Sequence, residues 1–466
     1  MEPPRRERLS ALDVSFLYVE GPTTPMHVGG VATFAALPPD IDGDRLVERI
    51  AARIVTVPRY RQKVRFVPGG LANPVWVDDP AFDLGYHVRR SALPRPGTDA
   101  QLRELVGRIQ ARPLDRNRPL WEVYVVEGMA DGRFAILTKT HHAMVDGVSA
   151  VDVGQLILDP TPEPRELPAL DWRPAAEPSS LELLGAALAE MVATPTDLAE
   201  TLRVAAGDAR RTAGGLLSGA GGFLAAVRTA ARPAPASPLN VDIGGSRRYG
   251  TATTELDDYK RVRKAHGGTV NDVVLATVSG ALRRWLLTRG EPVPPMTTVR
   301  ALVPVSVRGD DAAGTLGNRI SAYLVDLPVG EPDPLRRLAT VGAAMRAHKE
   351  EGQSVGADAL VALSGFAPPT LHALGARVVS TYSRRLFNLV VTNVPGPQFP
   401  LYAAGAQMLD AYPVVPLVKG QAVSIGLTSY NGRVFFGLNA DRDAMPDVDV
   451  LGGLLEEAVA ELVGTV

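Results

Sequence analysis

Apolar positions recur at two periods along the chain, and their alternation predicts a mixed fold. Leu46, Ile50 and Ile54 fall on one side of a helix over Arg45 to Val55. Leu102, Leu105, Val106 and Ile109 do the same over Gln101 to Ala111. A third helix, Asn271 to Leu287, carries Val274, Val278, Leu282 and Trp285 along one face, and a last one runs from Val448 to Val463. Runs rich in β-branched and aromatic residues predict strands at Val28–Phe34, Trp121–Glu127, Phe134–Thr140, Thr251–Leu256, Thr298–Val307, Arg319–Leu327, Leu389–Thr392, Ala422–Ser429 and Val434–Ala440. Gly128 to Arg133 reads as a turn, so the second and third of these form a hairpin.

The pattern divides the chain into three. Residues 1–171 and 248–466 each interleave strands with helices. Residues 172–247 join them as a crossover. It follows a Pro-, Glu- and Ala-rich stretch and holds one amphipathic helix, Leu181 to Val192, with Leu181, Leu184, Leu188 and Met191 as its stripe. Residues 198–231 are rich in Ala, Gly, Leu and Arg, and the prolines between Arg232 and Pro238 stop any helix.

Composition narrows the chemistry. The 466 residues include 49 Lys+Arg against 51 Asp+Glu, a net charge of −2 that gives no field for nucleic acid. The absence of cysteine excludes disulfides, thiolate metal sites and a Cys nucleophile. No run reaches the roughly 18 apolar residues of a membrane helix, and the N-terminal segment, with Asp13 and Glu20 in it, lacks the apolar core of a signal peptide. The expectation is a cytoplasmic protein, soluble or peripheral on a membrane or lipid droplet. Neither a phosphate loop nor a Gly-x-Ser-x-Gly elbow occurs, and Gly214 to Gly222 reads as flexible linker.

The strongest chemical candidate is Lys139 to Gly147, where a strand gives way to a turn at Asp146-Gly147 and then to a helical run from Ala150 to Leu158. Adjacent strand residues face opposite ways, so at most one of His141 and His142 looks into a given cavity while the strand lasts. An imidazole with a pKa near ~6.5 can serve as a base at neutral pH. A structural role and a metal-binding role are the other readings of the pair, although no His-Glu-x-x-His pattern is present.

The run His141-His142-Ala143-Met144-Val145-Asp146-Gly147 resembles the His-His-x-x-x-Asp-Gly signature of the CoA-dependent acyltransferase superfamily, which includes chloramphenicol acetyltransferase and peptide-synthetase condensation domains. Other segments narrow the resemblance to the bacterial wax ester synthase/diacylglycerol acyltransferases. They are Leu9 to Asp13 with Thr24 to Gly30, Pro119-Leu120-Trp121, Asn271-Asp272, and Asn393-Val394-Pro395-Gly396-Pro397. Thr392 stands where many members have Ser, and the hydroxyl is kept.

That resemblance implies an α/β (α+β) fold of two chloramphenicol acetyltransferase-like halves, each a mixed β-sheet flanked by helices, with the active site at their interface. It implies acyl-CoA as a substrate, no cofactor and no metal, and diacylglycerol or a long-chain alcohol as acceptor. His142 is then the general base, while His141 faces away. Asp146 pairs with a distant Arg, for which Arg308 is the candidate; an exposed strand-end charge is the other reading of Arg308. Asn271 is either an oxyanion-orienting donor or the cap of its helix. Asp272 and Gly147 are structural. Pro119, Leu120 and Trp121 pack near the site or in plain core. Asn393, Pro395 and Gly396 shape a channel wall or form a tight turn, and Ser364 to Pro369 lines an acyl pocket or packs. Two other functions are compatible: a condensation-type enzyme using carrier-bound acyl groups, and a catalytically silent lipid-binding protein.

Overall fold

The hairpin expected around Gly128 organises the first half. In this computed structural model, residues 7–145, 153–165, 172–193, 233–306, 320–350 and 386–466 are described. The early strands are β1 (His27–Phe34), β2 (Gln62–Arg65), β3 (Val75–Asp78), β4 (Val88–Ala92), β5 (Trp121–Glu127) and β6 (Phe134–His141). The later ones are β7 (Arg247–Glu255), β8 (Val299–Ser306), β9 (Ile320–Leu327), β10 (Leu389–Pro395), β11 (Tyr402–Ala403), β12 (Ala406–Val414), β13 (Val423–Tyr430) and β14 (Arg433–Asp441).

Two six-stranded mixed sheets result, ordered β11-β12-β1-β6-β5-β4 and β7-β14-β13-β10-β8-β9, beside a small β2-β3 ribbon. In the first sheet only β4 and β5 run parallel; in the second, β10 is parallel to both β13 and β8. The 248–466 segment thus supplies two strands, β11 and β12, to the first sheet.

Alternation along β5 explains why helices cover both faces of that sheet. Val123 and Val125 join the core under the helix Gly43–Ile54, with its Leu46, Ile50 and Ile54. Tyr124 and Val126 point the other way, to Leu102, Val106 and Ile109 of the helix Asp99–Gln110. Asp42 caps the first helix, its carboxylate accepting from the Arg45 N–H at 2.8 Å, so that helix starts two residues before the periodicity suggests. In the second half the helices Val270–Thr288 and Val448–Val463 pack together over β13 and β14, with Trp285, Leu282, Leu451 and Leu455 fully buried.

The halves meet along the helix Asp99–Gln110 and β7. A Cβ on Gly107 would lie 2.7 Å from the Arg247 carbonyl, so only glycine allows this approach. Just past β12, Val415 accepts from Ser424 Oγ and Asn439 Nδ2, both at 2.8 Å, and Pro413 accepts from Tyr249 Oη at 2.8 Å. The strand that leaves one sheet is thereby pinned onto the face of the other.

Several elements escaped the periodicity: the opening helix Ala11–Val19, the helices Leu256–His266 and Pro334–Glu350, and strands β4, β11 and β12. The helix Ser180–Ala193 forms as expected, but its inward line is Leu183, packed by Val75 and Val77, and the buried Ala187. Leu181 and Leu188 point outward at 79% and 52% exposure, and Leu184 is half-buried. Leu181 and Leu188, two of the four stripe residues, are therefore not packed into the core. Residues 194–232, with Leu216 to Val227 and the neighbouring arginines, lie outside the described residues, as does the Met191 side chain.

Candidate active site

Strand β6 lies at the centre of the first sheet, and its end is clamped from both sides. The His141 N–H donates to Leu120 O at 2.9 Å, and the His142 N–H to Met26 O at 2.8 Å. The strand stops at His141, and a single 3-10 turn, His142–Met144, follows. His141 caps that turn: its Nδ1 accepts from the Ala143 N–H at 3.1 Å. The two imidazoles part at this point. His141 is fully buried, and burial lowers its pKa. His142 is half-buried, its ring stacked 3.9 Å from Phe16 with 21° between the planes.

Three further groups surround the pair. Glu20, at the end of the opening helix, is almost wholly buried. Its Oε2 accepts from Arg116 Nε at 3.0 Å and Nη2 at 2.6 Å and lies 3.7 Å from His141 Nε2. Its Oε1 accepts from the Met26 N–H at 3.2 Å and lies 3.4 Å from His27 Nε2. Burial would raise the Glu20 pKa, but the two imidazoles and the guanidinium outweigh it and hold the group far below the usual carboxylate range. His27 sits directly across from His141 in the β1–β6 register, and burial pushes its pKa down to about 4. Sequence reasoning passed over Glu20 as an ordinary charge. Its one signal was position: an acid four residues beyond Phe16, ending a strongly apolar helix.

Pro119, Leu120 and Trp121 are all buried. Trp121 Nε1 donates to Tyr60 O at 2.7 Å, and the ring stacks on His87 at 4.5 Å. The motif is packed in the core, and the buried Leu120 carbonyl is the one that receives the His141 N–H.

A second group forms at the start of the helix Val270–Thr288. Thr269, not Asn271, is its cap. Thr269 Oγ1 accepts from the Asp272 N–H at 3.1 Å, and Asp272 Oδ2 accepts from the Thr269 N–H at 2.7 Å. Asp272 is thus occupied structurally, while Asn271 is freed from capping and meets Asn393, whose Nδ2 donates to Asn271 Oδ1 at 3.3 Å. Asn393 and Pro395 belong to β10, which runs three residues past the expected end at Thr392, so these residues are strand rather than turn. Beyond them the Gly396 N–H donates to Ser429 O at 3.0 Å, and a Cβ on Gly396 would meet that oxygen at 2.5 Å. Asn271, Asn393 and Pro395 border a cavity of about 450 Å³ with Arg263, Val274 and Leu427.

Asp146, Gly147, Arg308 and the Ser364 to Pro369 run lie outside the described residues. Among the described residues, no group of three or more His, Asp or Glu side chains is arranged to hold a metal ion.

A family model described as the wax ester synthase/diacylglycerol acyltransferase catalytic domain matches residues 9–274, and the WS/DGAT C-terminal domain model matches residues 316–463. The chain belongs to this family. It is 37% identical over 461 residues to a Mycobacterium tuberculosis protein named probable diacylglycerol O-acyltransferase tgs2, with 97% of each chain covered. It is 36% identical over 460 residues to tgs1 of the same organism, named likewise, covering 98% of this chain and 95% of that one. Among solved structures it resembles the wax ester synthase/diacylglycerol acyltransferase of Marinobacter aquaeolei VT8, with a TM-score of 0.67, 29% identity and 98% of both chains covered. The first condensation domain of the calcium-dependent antibiotic synthetase shares the fold, with a TM-score of 0.58 at 17% identity, covering 99% of this chain and 96% of that one. Like its WS/DGAT relatives, the chain is an acyltransferase. The catalytic-domain match runs from the opening helix through His141 and His142 to Asn271 and Asp272, while Asn393, Pro395 and Gly396 fall in the C-terminal match.

Proposed function

We propose that this WS/DGAT protein transfers a fatty acyl group from acyl-CoA to the hydroxyl of diacylglycerol, of a long-chain alcohol, or of both, with His142 as general base. The observation that carries the reading is the parting of the two histidines: His141 is sealed into the sheet end, while His142 stands half-exposed at the first position of a turn with its ring backed by Phe16.

An alcohol is a weak nucleophile until a base takes its proton. His142 accepts that proton as the hydroxyl oxygen attacks the thioester carbonyl. The carbonyl becomes a tetrahedral oxyanion, and Asn271 supplies an amide N–H toward it. Collapse breaks the carbon–sulfur bond, and the imidazolium of His142 returns its proton to the CoA thiolate. Acyl-CoA is consumed as a substrate, and no resident cofactor takes part. Asp146 and Arg308, expected as a structural pair from the family resemblance, lie outside the described residues. The relatives' names favour diacylglycerol as acceptor.

The acceptor is a lipid. Among the described residues no helix is long and apolar enough to cross a membrane. The outward Leu181 and Leu188 support peripheral contact with a membrane or lipid-droplet surface.

The test is incubation with acyl-CoA and diacylglycerol, with mass spectrometry of the lipid product and titration of released CoA. His142→Ala should lower turnover by about 10²–10⁴-fold while the protein stays folded. A folded, fully active His142→Ala protein rejects the mechanism. Lipid retention without CoA release would return the lipid-binding reading, and a requirement for a carrier-bound donor the condensation one.

A further inference from the structure

Phe16 and Glu20 are four positions apart, and the Glu20 N–H closes the last turn of the opening helix on the Phe16 carbonyl at 3.2 Å. Side chains at this spacing share a helix face. Here that face meets the histidine pair at two points, Phe16 on His142 and Glu20 on His141. The Glu20 carboxylate is fixed before it reaches His141. Arg116 binds Oε2 through two nitrogens, and its Nη2 also donates to Leu17 O at 2.7 Å; the Met26 N–H binds Oε1.

The hydrogen bonds of His141 then decide where its proton sits. Nδ1 accepts from the Ala143 N–H, so a neutral ring carries its proton on Nε2. Nε2 is buried, and among the described residues it has no hydrogen-bond partner; the carboxylate 3.7 Å away is the charge it faces. An anion on that side favours the Nε2–H form. With the proton on Nδ1 instead, the Ala143 N–H would lose its acceptor, and the turn that presents His142 would lose its cap.

We infer that Glu20 is a positioning residue for the transfer reaction: its carboxylate selects the Nε2–H tautomer of His141, which leaves Nδ1 to hold the His142–Met144 turn, while Phe16 on the same helix face sets the His142 ring. This rests on the reading of His142 as the base. Glu20 is buried behind His141 and acts through that histidine.

Two measurements test it. In the wild-type protein labelled with ¹⁵N-histidine, long-range ¹H–¹⁵N spectra should show His141 as the Nε2–H tautomer at neutral pH. An Nδ1–H signal at His141 overturns the inference, and this readout needs no variant to fold. In the second, Glu20→Gln keeps the side-chain shape and removes the charge. It should lower kcat by about ten- to hundred-fold. KM for acyl-CoA and for diacylglycerol should stay within about twofold, since no substrate contact is lost. Combined with His141→Ala, the loss should not exceed that of the slower single variant, because both act on one turn. Fully additive losses, or an unchanged kcat in folded Glu20→Gln, overturn the positioning role. His142→Ala measured alongside separates the two readings. If it is folded and active, the base assignment falls; if it is inactive beside a fully active Glu20→Gln enzyme, only the positioning role falls.

Discussion

Asn393 donates its side-chain amide to Asn271 Oδ1 across 3.3 Å, joining the third-last residue of β10 to the first turn of the helix Val270–Thr288. That bond occupies the Asn271 acceptor and leaves its two N–H donors for the cavity the residue borders. Asn271→Asp keeps the shape but replaces donors with a charge. It should lower kcat by about 10²–10³-fold, as loss of an oxyanion donor does elsewhere. Asn393→Ala should cost less, since it frees the Asn271 amide to rotate without removing it. Steady-state kinetics with both substrates check the order; equal activity of Asn271→Asp and wild type would remove Asn271 from the reaction.

His27 carries a pH dependence of stability. Burial pushes its pKa down to about 4, opposed by Glu20 and assisted by Lys139 and His141. The unfolded value is about 6.5. As pH falls from the second value toward the first, the unfolded chain takes up a proton that the native state refuses, so stability falls. One such group contributes roughly 3 kcal/mol across the window. His141, lowered in the same direction, adds to it. The depressed Glu20 carboxylate acts only at lower pH, once the unfolded carboxylate begins to protonate near about 4.5. Urea unfolding at pH 7.5 and pH 5 should show the loss, and His27→Gln should reduce it. A stability profile flat over this range would mean that His27 is charged in the native protein.

Gly437 and Gly453 predict opposite outcomes for the same substitution. A Cβ on Gly437 would lie 1.9 Å from the Pro413 carbonyl, where the strand from the first sheet rests on the second. Around Gly453, in the helix Val448–Val463, nothing lies within 4 Å. Gly437→Ala should destabilise by about 1–3 kcal/mol or more through overpacking against backbone. Gly453→Ala should stabilise by roughly 0.5–1 kcal/mol by restricting the unfolded chain. Denaturation midpoints of the two variants measure both signs.

Leu181 and Leu188 remain outward on a helix whose Leu183 and Ala187 are buried. Changing both outward leucines to Ser should leave the melting temperature within a few degrees and reduce flotation with anionic vesicles. Undiminished flotation would move lipid contact away from this face.

Long, strongly periodic elements were legible in the sequence. The final helix, Val448–Val463, has the boundaries its pattern predicts, and the helix over Asn271 to Leu287 is displaced only by the Thr269 cap. The opening helix was not legible, because Leu12, Val14, Phe16, Leu17 and Val19 leave no polar face from which a period could be read. The histidine pair stood out by residue type and spacing, whereas Asn271 and Asn393 were singled out only by the family resemblance. Glu20 was not, since what distinguishes it is an arginine 96 residues away and a strand end further still. The strand β12 reads as partly polar, Ala406 to Val414, and its pairing with β1 is a long-range fact.

That pairing bears on the order in which the molecule can assemble. Thr33 Oγ1 donates to Asp410 Oδ2 across a gap of 377 residues. Until β12 has been synthesised, β1 is the edge of its sheet, with an open row of backbone donors and acceptors available to any passing strand. Contacts of such separation also slow folding, because the loop they close must be ordered before the pairing repays it. A nascent chain truncated before Tyr402 would carry β1 and β6 with that edge unprotected, and the end of β6 is where His141 and His142 sit. The last seventh of the chain thus acts as the lock on a site built mostly from the first third.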